Sequence, residues 1–429
     1  MHEQAPSSTS PAGPKAKKPL DTVVKLALAV FVKVSMSGPN VWWGALPMVA
    51  VFTLHADAST ASWLQVALTL PFVLFAIPAG MLADRWPKRT LMAGAEAVRA
   101  AALFGVAGLL LAGQLSLTAL VVLGFVAVCG TVVFSVAAPA LVPSLVPPAM
   151  LSRANGRIEL ARTVAFACGP AIGGALIGWT GAMTAFVLAA ALSVGAAALL
   201  TGVPSPAAAA RHATHPLRDI AEGARFVFRH PLLRPVFITQ CLFTMSFFMV
   251  LAVFVPYAAH RLGLSAQAIG LTLGMYGAGM VIGALLAARI LARWRFGHVV
   301  ATGPVCGLAG GALLAATLWQ PWPALAHAGF FMLGCGPILW VVSTTTLRQT
   351  VTPPALLARV SAVNVMSYGA RPVGAALAAW LAAQAGMGAC LLMALAGFAL
   401  QLLCILQSPA VRLARQPSPD DADTALNPA

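Results

Sequence analysis

Ionisable side chains are expensive inside long apolar stretches, and this 429-residue chain places a few of them there. Glu96 and Arg99 stand three residues apart, one helical turn, on one face. Such a pair can neutralise itself as a structural ion pair. It can also handle a proton, once burial and the neighbouring charge tune the carboxyl. Glu159 and Arg162 repeat the spacing at the mouth of a later apolar run, where they would act as a cytoplasmic latch. Arg371 lies 12 residues past Arg359. At about 1.5 Å per residue that is roughly 18 Å deep, near the middle of a ~30 Å hydrocarbon layer. A guanidinium keeps its proton and presents a fork of donors. Its chemistry there is to grip an anionic or strongly hydrogen-bonding group of a ligand, or a structural carbonyl or acid. Asn364, Ser367 and Tyr368 precede it by one to two turns and could add polar contacts. Lys33 is a second lone cation, either lining a cavity or snorkelling to the surface.

The elements that must position these residues follow from composition. The chain is 60% hydrophobic and only 9% charged, with mean hydropathy +0.88. Apolar runs at about 22–54, 61–83, 90–113, 117–142, 158–180, 183–203, 235–258, 265–288, 298–318, 322–346, 358–384 and 387–408 predict twelve membrane spans. The net charge of +15 is concentrated in alternate connections, from Lys15, Lys17 and Lys18 through Arg85, Lys88 and Arg89 to Arg412 and Arg415. The opposite set of short loops offers only Arg261. The positive-inside rule then places both termini in the cytoplasm, and the basic balance records topology and contact with anionic lipid, not a nucleic-acid partner. The expected setting is a plasma membrane, the inner membrane of a bacterial cell. Seven cysteines without a C-x-x-C pair read as small buried residues, so no metal or cofactor is expected. Paired carboxylates and nucleophile–base clusters are absent from the sequence, which argues against an enzyme.

An internal repeat divides the chain. Pro147-Pro148-Ala149 through Arg153 recurs as Pro353-Pro354-Ala355 through Arg359, an offset of 353 − 147 = 206. A weaker echo of the charged turn Gly80–Arg89 runs from Gly283 through Arg289 and Arg293 to Gly297. The expected organisation is a disordered tail (1–21), a six-helix bundle (22–203), a linker (204–234), a second six-helix bundle (235–408) and a second tail (409–429). Within the linker Leu217, Ile220, Ala221, Ala224 and Phe228 fall at helical spacing opposite Arg218, Asp219, Glu222, Arg225 and Arg229. That pattern predicts an amphipathic helix on the inner membrane surface.

Gly80, Leu82, Ala83, Asp84, Arg85 and Arg89 resemble the G-x-L-A-D-R-x-G-R-K turn of the major facilitator superfamily, with Lys88 for an Arg and Pro87 for the Gly. The segment Asp219–Arg234, the prolines at 139, 143 and 147, and Gln349, Pro353, Arg359, Val360 and Ser361 resemble its enterobactin exporter-like branch. The resemblance runs from about residue 22 to 408. It implies an all-α membrane fold of two pseudo-symmetric six-helix bundles and a secondary transporter working by alternating access. The cargo it implies is a small organic compound such as a siderophore or antibiotic. It assigns a conformational latch to Gly80, Asp84, Arg85, Lys88 and Arg89. Gly169, Pro170, Gly173 and Gly174 are similar to the G-P-x-x-G-G stretch of proton antiporters, which leaves an antiport role and simple helix kinking side by side. Protons are the expected coupling ion, although span four lacks the Arg of many proton antiporters. A monomer is expected. Uptake, lipid flipping and a non-transporting receptor are the alternative readings.

Overall fold

The structure, a computed structural model, describes residues 38–145, 169, 172–202, 216–353 and 356–415. Both expected terminal tails lie outside these residues, apart from 409–415. Among the described residues eight helices are long and apolar enough to cross a membrane. They are Lys88–Leu111 (span three), Leu117–Leu145 (four), Ala182–Thr201 (six), Leu233–His260 (seven), Ala266–Arg293 (eight), Phe296–Ala316 (nine), Pro323–Val351 (ten) and the run ending at Leu406. The last, Ala370–Leu406, is 37 residues and roughly 55 Å long, too long for one crossing. Gly386, at φ 81° and ψ 173°, breaks it into the end of span eleven and span twelve, a backbone setting that favours glycine. The described parts of spans one, two and five are Gly38–Phe52, Ala58–Arg85 and 172–180. Together these make the two six-helix halves.

Span two is in three pieces, Ala58–Thr69, Pro71–Leu74 and Ala76–Arg85. Pro71 and Pro78 lack the N–H groups that would bond Ala67 and Leu74, so the helix re-forms twice. The repeat is legible in backbone detail. Asp57 and Ser265 are both extended and cap spans two and eight, accepting from the N–H of Thr60 (3.2 Å) and Ala268 (3.4 Å). Trp86 and Trp294 end the same two spans at φ −105°, ψ 151° and φ −100°, ψ 153°. Both pairs are offset by 208 (265 − 57 and 294 − 86). This corrects the echo expected from Gly283. At that offset Gly80 corresponds to Ala288, Asp84 to Ala292 and Arg85 to Arg293, so only the first half carries the acid.

The linker helix Pro216–Arg229 forms, and among its residues from 221 onward Gly223 and Val227 are buried while Phe228 is exposed. It docks on the start of span eleven. Arg359 Nη1 donates to Glu222 Oε2 at 2.7 Å, and a Cβ on Gly223 would stand 2.7 Å from the Arg359 carbonyl. Periodicity marks an apolar face but not which edge of it meets protein, hence the rotation from the expected face. Next to it His230 is buried, and its Nδ1 accepts from the N–H groups of Leu232 (3.2 Å) and Leu233 (3.4 Å). Burial holds this imidazole below the usual histidine range. The expected second tail also begins later than 409. Pro409–Arg412 forms a turn, Ala410 is buried, and Leu413 accepts from the N–H of Gly297 at 2.9 Å.

Candidate functional site

The two halves meet at the end that carries the charge-poor loops. Met48, Val51 and Ala61 of the first half share one core with Phe254, Ala375 and Ala378 of the second. Ser62 Oγ donates to the Ala252 carbonyl at 3.3 Å, and a Cβ on Gly174 would lie 2.7 Å from the Ala266 carbonyl. Gly173 is buried beside it, as is Gly169, so this stretch closes the seam by helix contact. Pro170, Lys33, Glu159 and Arg162 lie outside the described residues.

Deeper along the seam stands Arg371. Its guanidinium carbon lies 4.1 Å from the ring centre of Tyr368, 4.8 Å from Phe72 and 5.2 Å from Phe248. Phe72 comes from the short helix inside span two, Phe248 from span seven, and Tyr368 from the turn Ser367–Gly369 in span eleven. Rings of both halves therefore surround one cation, and their faces offset part of its desolvation. The attraction is electrostatic, between the cation and the negative ring faces. Asn364 is half-buried in the same span. Ser367 is 1% exposed and its hydroxyl donates to the Asn364 carbonyl at 2.7 Å. The cage residues Phe72 and Phe248 carried no sequence signal, because an aromatic residue in an apolar span is indistinguishable from packing.

Glu96 and Arg99 are elsewhere, inside the first half. Both are buried, at 0% and 1% exposed, and are ion-paired to each other. Arg99 Nε also donates to Ser193 Oγ of span six at 3.1 Å. Glu96 Oε1 has no hydrogen-bond partner among the described residues. Gly130 of span four backs the pair, its absent Cβ leaving room for the Ala95 carbonyl. In the Gly80–Arg89 turn, Arg89 donates to the Thr201 carbonyl at 3.2 Å, a cation on the C-terminus of span six. A Cβ on Gly80 would meet nothing within 4 Å among the described residues. Arg85 is exposed and Lys88 half-buried, while Asp84 ends a helical turn whose backbone alone is described. No cluster able to hold a metal occurs among the described residues.

The family profile of the Major Facilitator Superfamily matches residues 34–371 and, in a second alignment, 236–427. An uncharacterised MFS-type transporter, y4rN of Sinorhizobium fredii, is 30% identical over 336 residues, 74% of this chain and 78% of the relative. The enterobactin exporter EntS of Escherichia coli is 28% identical over 312 residues, 71% of this chain and 72% of its own. Among solved structures, a bacterial homologue of the iron transporter ferroportin in an inward-facing state superposes with TM-score 0.70 at 15% identity, over 92% of this chain and 99% of that one. The D-xylose–proton symporter gives 0.68 at 14% identity, over 92% and 99%. Those two likenesses concern the fold.

Proposed function

The chain belongs to the Major Facilitator Superfamily, and from that premise we propose that it exports an amphiphilic organic compound across the plasma membrane by alternating access, driven by proton antiport. It is a transporter, not an enzyme. The observation that carries the export reading is the Arg371 cage in the seam. Because Phe72 belongs to one half and Phe248 and Tyr368 to the other, any rocking of the halves remakes the site. A cargo held there is coupled to the conformational change by construction. The closed end of the seam bears the charge-poor loops, which the positive-inside rule puts on the outer face, so the seam is shut on the side to which an exporter delivers. The similarity to enterobactin exporters supports the same direction.

In this mechanism the Gly80–Arg89 turn is the latch. Among the described residues nothing crowds Gly80, so the close approach a glycine permits is used when the cytoplasmic end closes. Asp84→Asn should abolish transport while leaving membrane insertion intact. Glu96 is the proposed proton carrier, acting through span three, since among the described residues it is the acid buried within a span.

The test is accumulation in everted membrane vesicles, using a panel of catecholate siderophores, macrolides and simple aromatic acids. Uptake should collapse on adding an uncoupler, and Arg371→Ala and Arg371→Lys should both impair it for acidic compounds, since Lys lacks the bidentate fork. Accumulation that survives the uncoupler removes the proton drive. Parent-like accumulation of every compound by both variants removes Arg371 from the cargo site.

A further inference from the structure

From Gly223 to Pro419 the sequence holds no Asp or Glu, yet Arg289, Arg293, Arg295, Arg412 and Arg415 fall in two short stretches of it. The fold brings the two stretches together. After span twelve ends at Leu406, the chain turns through Pro409–Arg412 and runs back along the turn between spans eight and nine. Span nine begins without a side-chain cap. Its first N–H groups donate instead to this returning strap, Phe296 to the Ala414 carbonyl at 3.4 Å and Gly297 to the Leu413 carbonyl at 2.9 Å. The order is antiparallel, 296 with 414 and 297 with 413, and it continues to Arg295 beside Arg415. A Cβ on Gly297 would collide with the Val411 carbonyl, so glycine is what admits the strap. At the repeat offset of 208, Gly297 and Pro409 correspond to Arg89 and Thr201. The first half ties this turn to its sixth span through the Arg89 side chain, whereas the second does so through backbone. Its arginine side chains are thereby spared for another use. All five are exposed, as is Trp294 among them. Like charges held side by side by backbone pairing repel unless an anion lies between them.

We propose that the strap and the turn between spans eight and nine form a binding site for an anionic phospholipid of the cytoplasmic leaflet. Positive charge is spread over every cytoplasmic turn, but here the fold builds one turn into a site. The positive-inside rule puts this end at the cytoplasmic surface, and Trp294 is the ring type that settles at headgroup level. Leu285 of span eight and Leu403 and Leu406 of span twelve are exposed, giving acyl chains an apolar surface. A lipid phosphate takes the guanidinium forks as charge-assisted donors. The acids with described side chains are engaged elsewhere: Asp57 caps span two, and Glu96 and Glu222 pair with Arg99 and Arg359. The other acids have side chains outside the described residues. Glu3, Asp21, Asp84, Glu159 and Asp219 precede the second half, and Asp420, Asp421 and Asp423 follow the strap in sequence, which makes them the rival occupant.

The test titrates full-length protein in detergent with phosphatidylglycerol or phosphatidylcholine and counts bound lipid by native mass spectrometry. Phosphatidylglycerol should bind more tightly. Arg295→Gln with Arg415→Gln should weaken it roughly 25-fold, about five-fold per arginine at a membrane surface. Arg261→Gln, at the opposite end, should leave it unchanged. Equal affinity for the two lipids in the parent, or parent-like phosphatidylglycerol affinity in the double variant, overturns the site. Gly297→Ala keeps every arginine but displaces the strap, and it should weaken phosphatidylglycerol binding as well. Parent-like affinity there would reduce the site to a diffuse field and overturn it. Should Gly297→Ala fail to fold, the exposed arginine pair decides alone. Replacing Asp420, Asp421 and Asp423 together by Asn in the full chain should leave the parent's preference in place. A parent that takes up phosphatidylglycerol only after those replacements makes the acidic segment the occupant and overturns the lipid site.

Discussion

Arg99 and Arg371 are both guanidiniums within membrane spans, and the fold accommodates them by different means. Arg99 is sealed in the first half, paired with Glu96 on its own helix and hydrogen-bonded to Ser193 of the neighbouring one. Arg371 stands where the halves meet, among three aromatic rings, one of them from the opposite half. The first arrangement is directional: removing one member leaves a buried charge. The second is diffuse, since each ring face contributes a modest attraction and none is indispensable. Position follows from this difference. A charge pair locked within a bundle suits a part that moves as a rigid body, whereas a ring-lined cation tolerates the sliding that alternating access requires.

The largest expected effect comes from breaking the sealed pair. Arg99→Met alone should destabilise the protein by about 3–5 kcal/mol by stranding Glu96, whereas Glu96→Leu with Arg99→Met should recover most of that loss. Thermal melting in detergent, read beside membrane yield, checks it. A single variant as stable as the parent would mean that the pair is not holding spans three and six together. Arg371→Ala should show the converse, a melting temperature within a few degrees of the parent with cargo affinity down roughly 10–100-fold, the loss of one charge-assisted hydrogen bond. A collapse in stability instead would make Arg371 a structural pin like Arg99. Phe72→Leu keeps the apolar volume but removes a ring face. Its expected effect is smaller, about 0.5–1 kcal/mol or a few-fold in affinity. Parent-like binding would show that the two rings of the second half suffice.

His230 extends the comparison to a base held in neither way. It stays neutral because Nδ1 must accept from Leu232 and Leu233, and burial disfavours the charged ring. The folded state therefore binds its proton less readily than the unfolded chain. Between the two pKa values the unfolded state holds more protons, so stability rises with pH there. The contribution is fully present above the unfolded value, about 6.5, and is lost as pH falls from it toward the lower folded value. Melting temperature should drop on acidification through this window. His230→Asn, which keeps a neutral acceptor, should flatten the drop, while His230→Ala should lower stability by about 1 kcal/mol at neutral pH through loss of the cap. An identical acid dependence in His230→Asn would assign it to other groups.

The sequence by itself determined the twelve spans, the division into two halves and the end of the molecule that carries the arginines. Each of these is a one-dimensional property: the length of an apolar run, the offset of a repeat, the side on which charge accumulates. It also determined the closeness of Glu96 and Arg99, because three residues on a helix leave two side chains on one face. The register of the helix-two repeat was less legible, since glycines recur along span eight, and the matching backbone geometry of Asp57 with Ser265 and of Trp86 with Trp294 distinguishes 208 from the alternatives. Apart from Tyr368, one turn away on the same span, what surrounds Arg371 was decided by tertiary structure. Phe72 is 371 − 72 = 299 residues away, and in an apolar span its ring looks like any other packing residue. Ser193 is likewise 94 residues from Arg99. Ser367 likewise turns its hydroxyl to its own backbone, a choice that its residue type leaves open. Helical periodicity sets the face a residue occupies. Only the packing of one helix against another decides which partner that face meets.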